Sequence, residues 1–219
     1  MAVLALSVAL SFTHRWEPRP ESERTLLLLH GTGADEDDLI PLGDLLDPGA
    51  NLLSPRGQVL ENGMPRFFRR LAEGVFDLED LTARTQQLAD FVAAAAAMYA
   101  FDAAGVTAVG FSNGANIAAA MLLLRPGTVR QAVLLRAMVP LTPATSPDLA
   151  GTRVFLAAGR HDPIIPPANS DALAAMLRSA GAAVTVRWSD AGHQLRRDDV
   201  DAARDWMRAS APGSSPSAP

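Results

Sequence analysis

The sequence predicts an α/β domain, a mostly parallel central sheet with helices on both faces. Three observations predict it. Strand-like and helix-like segments alternate along the chain, as crossover connections between parallel strands require. Thr25-Leu26-Leu27-Leu28-Leu29 is a continuous apolar run, expected of a central strand covered on both faces. Gly110-Phe111-Ser112-Asn113-Gly114 stands between a β-prone run and a run of helix formers, so a tight strand-to-helix turn is expected there.

Ser11 to Glu17 alternates like an edge strand. Pro18, Pro20 and the polar residues Glu21 to Arg24 then turn the chain into the Thr25–Leu29 strand. Asp37 to Leu46 is expected as a short helix and Asn51 to Ser54 as a short strand, followed by a long loop from Pro55 to Phe76. Leu78 to Phe101 is the strongest helix, and its Ala93 to Ala97 block packs closely with little side-chain ordering. Val106 to Val109 reads as a strand and Ala115 to Leu122 as a helix. Gln131 to Arg136 and Arg153 to Ala158 are the next strands. Ala168 to Ala180 is a helix closed by Gly181 in a left-handed cap. Val184 to Trp188 and Asp198 to Arg208 are the final strand and helix. Residues 1–210 are expected to form one domain, and Ala211 to Pro219, built of Ser, Pro, Gly and Ala, a disordered tail.

A length of 219 residues suits a single domain, and a hydrophobic fraction of 48% supplies a substantial core. The net charge of −5 argues against a nucleic-acid partner, which calls for a basic surface. The absence of cysteine excludes disulfides, thiolate nucleophiles and zinc-thiolate sites. Met1 to Leu10 is apolar, but no lysine or arginine precedes the run and no clear A-x-A cleavage site follows it. It is too short to span a bilayer. The expectation is a cytoplasmic protein with no membrane partner, monomeric or homodimeric.

A serine hydroxyl becomes a useful nucleophile only beside a base, which an acid in turn orients. Ser112 in a glycine-flanked elbow is the candidate nucleophile. Of four histidines only His161 and His193 follow it, and His193 lies in the loop Ser189 to Leu195 after the last strand, where a base can reach back over the sheet edge. Asp162, in the loop after the Val154–Ala158 strand, is the candidate orienting acid. Asp190 competes by proximity in sequence and is expected to shape the histidine loop, while His161 reads as a loop residue. His30-Gly31-Thr32-Gly33 follows the Leu-rich strand, so the Thr32 N–H and the Asn113 N–H are the candidate oxyanion donors. His30 reads as a structural hydrogen-bonder under that loop. The glycines form neither a Walker arrangement nor G-x-G-x-x-G, so a phosphate loop is a weak alternative.

From about Thr25 to Met207 these elements resemble the phospholipase/carboxylesterase family of the α/β-hydrolase superfamily. The resemblance rests on His30-Gly31-Thr32-Gly33 with Asp35-Glu36, the Ser112 elbow, Asp162 with Pro163-Ile164-Ile165-Pro166, and Gly192-His193. Leu53 to Gly57, Asn62 to Arg70 and Leu134 to Pro140 are similar to bacterial esterases of the hydroquinone-induced type. The resemblance implies an α/β-hydrolase fold and hydrolysis of small-molecule carboxylic esters without metal or cofactor, with Ser112, Asp162 and His193 as the triad. Thioester or lysophospholipid hydrolysis uses the same machinery and stays open, as does a non-catalytic ligand-binding role. No insertion is large enough for a substantial lid domain. Met64, Phe67 and Phe68 are expected either to wall an apolar pocket or to anchor the long loop, and Met138 to line the cleft. Arg66, Arg69 and Arg70 are expected in surface ion pairs, with carboxylate binding as the alternative. Arg136 ends a buried strand and needs a partner or an outlet at the cleft mouth.

Overall fold

The computed structural model describes residues 10–209. The expectations for the first nine residues and for the tail Ala211 to Pro219 lie outside them. In chain order the elements are β1 (His14–Glu17), β2 (Thr25–Leu29), α1 (Ile40–Leu46), β3 (Asn51–Pro55), β4 (Val59–Glu61), β5 (Met64–Arg66), β6 (Arg70–Ala72), β7 (Val75–Phe76) and α2 (Leu78–Tyr99). They continue with β8 (Val106–Phe111), α3 (Asn113–Leu124), β9 (Gln131–Leu135), β10 (Arg153–Gly159), α4 (Pro167–Ser179), β11 (Ala183–Ser189) and α5 (Arg197–Arg208).

Seven strands form one sheet in the order β1-β3-β2-β8-β9-β10-β11. All neighbours run parallel except β1, which pairs antiparallel with β3 at the edge. The unbroken apolar run of β2 follows from two-sided burial. Leu27 and Leu29 join the core under α2, α3 and α4, whereas Leu26 and Leu28 join the core under α1 and α5. β9 and β10 alternate in the same way: Ala132, Leu134, Val154 and Leu156 face one layer, and Val133, Leu135, Phe155 and Ala157 the other. A strand with both faces covered has no polar period to display. This is the expected α/β-hydrolase architecture, without a large lid domain.

Three local expectations change. α1 starts at Ile40 rather than Asp37, because the Asp35 carboxylate accepts the Asp37 N–H (3.0 Å) in a turn that competes with the first helical turn. α2 starts where Asp77 accepts the Asp80 N–H, and ends at Tyr99 with Ala100 left-handed. The expected loop from Pro55 to Phe76 contains two small hairpins, β4–β5 and β6–β7. Asn62 and Gly63, both at positive φ (52° and 79°), turn the first, and Asn-Gly is the strongest short hairpin signal a sequence carries.

Because the other five pairings are parallel, the carboxyl ends of β2, β8, β9, β10 and β11 lie along one edge, where the loops carrying Thr32, Ser112, Arg136, Asp162 and His193 emerge. α3 must begin hard against β2 at that edge. A Cβ on Gly114 would sit 1.9 Å from the Leu29 carbonyl oxygen, and one on Gly110 would sit 2.6 Å from Ala115 N. Gly114→Ala is therefore expected to destabilise the protein by at least about 2 kcal/mol, since backbone rather than a movable side chain meets the added methyl. Urea unfolding monitored by circular dichroism checks this, and an unchanged midpoint would show that α3 can retreat from β2.

Candidate active site

Ser112 joins β8 to α3 with φ 52° and ψ −112°, a region that non-glycine residues rarely occupy. Its N–H donates to Leu135 O and its carbonyl accepts the Asn116 N–H, both at 2.9 Å. His193, in the loop after β11, has Nε2 2.8 Å from Ser112 Oγ and Nδ1 2.8 Å from Asp162 Oδ2. The assignment that satisfies all three groups has Nδ1–H donating to the carboxylate and Nε2 accepting the serine O–H. Asp162 Oδ1 accepts the N–H groups of Ile164 (2.8 Å) and Ile165 (3.0 Å), so the carboxylate is fixed at both oxygens. It is buried, whereas the rival Asp190 is exposed and pairs with His161 at 2.6 Å.

Asn113 opens α3, whose first-turn N–H groups have no intrahelical acceptor and lie at the positive end of the helix dipole. The Thr32 loop faces it across the cleft and is held from three sides. Gly33 N–H donates to Pro65 O (3.0 Å), Arg66 Nη1 donates to Thr32 Oγ1 (3.0 Å), and His30 Nδ1 donates to Gly31 O (2.6 Å). His30 Nε2 accepts the Gly57 N–H (2.9 Å), and its ring packs on Phe67 at 4.8 Å. One donor and one acceptor suit neutral imidazole, and burial pushes the His30 pKa below its ordinary value. The Asn113 side chain crosses to the hairpin segment, accepting the Phe67 N–H at Oδ1 (2.8 Å), while its buried Nδ2 has no acceptor among the described residues.

Ser112 and His193 open into a cleft of about 240 Å³ lined by Thr32, Arg66, Arg70, Phe76, Phe111, Met138 and Ile165, among others. Met138 is among these lining residues. Phe67 and Phe68 are not on the wall: both are buried in the main core, Phe68 edge-on to Phe76 at 5.0 Å. Two adjacent phenylalanines hold more apolar area than a small cleft can use, and the core takes both. Met64 is exposed and lies beside Gly33, outside the cleft lining. Arg69 forms the expected surface pair with Asp77, but Arg66 is buried and Arg70 half-buried, and both line the cleft. A larger concavity, about 660 Å³, lies at the opposite end of the sheet beside Asp47, Gln131 and Met207 and holds no nucleophile–base pair. Among the described residues no helix is long and apolar enough to cross a membrane.

Residues 16–211 match the family described as Phospholipase/Carboxylesterase. The chain belongs to the phospholipase/carboxylesterase family. It is 49% identical to MhqD of Bacillus subtilis over 85% of this chain and 94% of that protein. It superposes on a Bacillus cereus carboxylesterase with a TM-score of 0.88 at 47% identity, covering 90% of this chain and 93% of the other. A Mesorhizobium loti carboxylesterase gives a TM-score of 0.82 at 36% identity, covering 86% and 90%. The chain is an enzyme of this family, a serine carboxylesterase acting on small esters.

What holds the carboxylesterase's histidine loop is a residue whose role the sequence left undefined. Arg136, at φ 58° just after β9, is fully buried and pairs with the equally buried Asp199 in the first turn of α5 (2.5 Å). Its Nε donates to Gly192 O (3.0 Å) and its Nη2 to Gln194 O (3.1 Å), the carbonyls on either side of His193. Nη1 donates to Ala157 O (3.2 Å), and Nη2 also reaches Ser189 Oγ (3.2 Å). An arginine at the end of an otherwise apolar strand was the only sequence signal.

Arg136→Met strands a buried carboxylate and is expected to cost about 3–5 kcal/mol in chemical denaturation. Adding Asp199→Leu should restore most of that stability. Turnover of 4-nitrophenyl butyrate by the double variant should stay depressed, because nothing grips the Gly192 and Gln194 carbonyls; wild-type kcat there would refute the clamp. A second prediction concerns acid. The folded state resists protonating His30, while the unfolded chain protonates it at about pH 6.5. The unfolded state therefore binds more protons below that pH, and stability is lost as pH falls through it. His30→Gln should flatten the stability slope between about pH 6.5 and 5; identical slopes in the two proteins would rule this out.

Proposed function

We propose that the protein cleaves compact carboxylic esters in two steps through an acyl-enzyme on Ser112. The reading is carried by one observation: the His193 ring spans Ser112 Oγ and Asp162 Oδ2 with 2.8 Å on each side. His193 Nε2 takes the hydroxyl proton as Oγ attacks the carbonyl carbon, and Asp162 stabilises the imidazolium that forms. The developing oxyanion receives N–H groups from Thr32 and Asn113. Collapse of the tetrahedral species expels the alcohol, which leaves with the proton from His193. Water then attacks the acyl-enzyme with the same base, releasing the carboxylic acid and regenerating Ser112. A cleft of about 240 Å³ lies below the range typical of drug-sized ligands, which favours short acyl or small aryl groups.

Ser112→Ala is expected to lower kcat on 4-nitrophenyl acetate and butyrate by about 10⁴-fold or more, and to abolish labelling by a fluorophosphonate probe. Asp162→Asn should reduce kcat by about 10⁴-fold with little change in KM, since it mis-sets the histidine tautomer without removing a substrate contact. Undiminished turnover by the Ser112→Ala protein would end this mechanism.

A further inference from the structure

Two guanidinium groups at the cleft wall share one carboxylate. Arg66, at the end of β5, has 3% of its side chain exposed. Its Nε donates to Phe68 O (3.2 Å), and its Nη1 to Thr32 Oγ1 (3.0 Å) with Glu61 Oε2 at 3.2 Å. Its Nη2 has no acceptor among the described residues and is not sealed in the core. Arg70 takes the other side of Glu61, with Nη2 at 2.7 Å and Nε at 3.0 Å from Oε1. The Arg70 guanidinium holds the Glu61 carboxyl below the usual carboxylate range, so Glu61 carries its full charge. Two cations against one anion leave one positive charge over. Glu73, the acid in the cleft lining, is exposed and pairs with neither arginine among the described residues, so water screens it.

A desolvated guanidinium with unused donors costs stability that an apolar residue of similar volume would not. Arg66 is also separated by a single hydrogen bond from Thr32, the candidate oxyanion donor, so whatever it binds lies close to the scissile carbonyl. A carboxylate would supply both the missing acceptor and the missing negative charge, and its planar pair of oxygens matches a guanidinium fork. We infer that the substrates are esters carrying a free carboxylate a few bonds from the carbonyl, held by Arg66 and Arg70. The inference rests on the acyl-enzyme reading for which bond is cleaved, whereas the carboxylate subsite binds independently of that step.

The test therefore separates binding from turnover. Titration calorimetry on the Ser112→Ala protein would compare monoethyl succinate with diethyl succinate, and O-acetylglycolate with its methyl ester. These probes place the carboxylate on the acyl and the alcohol side respectively. At least one carboxylate probe should bind tenfold or more tighter than its neutral counterpart. Adding Arg70→Gln should weaken that binding at least fivefold. Adding Glu61→Gln should strengthen it by releasing both arginines, a change of sign that a purely structural trio would not produce. Arg66 is left in place because it also pins Thr32, and circular dichroism confirms that each variant is folded. Equal binding of charged and neutral esters, or Arg70→Gln and Glu61→Gln shifting affinity in the same direction, would overturn the inference. Tight carboxylate binding without cleavage by the wild-type enzyme would support the subsite and strike the acyl-enzyme reading. Cleavage of both esters at equal kcat/KM with no binding preference would do the reverse.

Discussion

The guanidinium of Arg136 meets five acceptors, from the ends of β10 and β11, from both neighbours of His193, and from the first turn of α5. That convergence holds the loop carrying His193, which lies beyond the strand ladder of β11. Arginine is suited to the task where lysine is not: its planar fork spreads donors over several directions and keeps its charge when buried. The arrangement is not a simple gain in stability. Two ions are removed from water, and Asp199 Oδ1 receives no donor among the described residues, so the Coulombic attraction is set against a large desolvation cost. What the pair supplies is placement, fixing the loop backbone on both sides of the imidazole so that the ring needs only its own torsions to reach Ser112 and Asp162.

The nucleophile is held by a complementary constraint. Ser112 carries backbone strain of the order of 1–3 kcal/mol, and the turn keeps it because its neighbours leave no room to relax. Its N–H is tied to β9 through Leu135 O, its carbonyl is committed to α3 through Asn116, and Gly114 touches the Leu29 carbonyl of β2. The result projects Oγ over the carboxyl edge of the sheet at the start of α3. The loops after β10 and β11 are stitched to each other in the same manner, with Arg160 N–H donating to Ser189 O (2.9 Å) and His161 N–H to Ala191 O (3.0 Å). Ser112, Asp162 and His193 thus stand on a turn and two loops at the carboxyl ends of one parallel sheet, tied to it by backbone hydrogen bonds.

This division explains what could be read from the sequence. Strands buried on both faces, the glycine-bounded serine and the order serine, aspartate, histidine are local or ordered signals. They located the central sheet and brought Ser112, Asp162 and His193 to notice before any coordinates. The choice between Asp162 and Asp190 was arguable from strand position, because a residue at the end of β10 and one at the end of β11 reach different parts of the edge. The segment from Pro55 to Phe76 reads as plain loop although Asn62-Gly63 signals a hairpin, since strands of three residues carry too little pattern to register. The burial of Phe67 and Phe68 and the full partner set of Arg136 were not legible, because both depend on which distant surfaces meet. A side chain's neighbours across the fold leave no trace in its own sequence spacing.

The hairpin segment combines core anchors with charged residues at the cleft wall. Phe67 and Phe68 drive into the core, and the Asn113 side chain fastens the Phe67 N–H directly to the residue after the nucleophile. Arg66 before them and Arg70 after them both line the cleft, and Glu61 of the preceding strand binds the two together. Arg70 bonds Glu61 and none of Ser112, Asp162 and His193, so its charge can change without disturbing the strand ends that hold them. The aromatic pair anchors the segment in the main core, and Arg66 adds a hydrogen bond to the Phe68 carbonyl. The residues that hold Ser112, Asp162 and His193 and the arginines that line the cleft wall thus sit on separate parts of the fold, the first at the ends of the parallel sheet and the second on the hairpin segment.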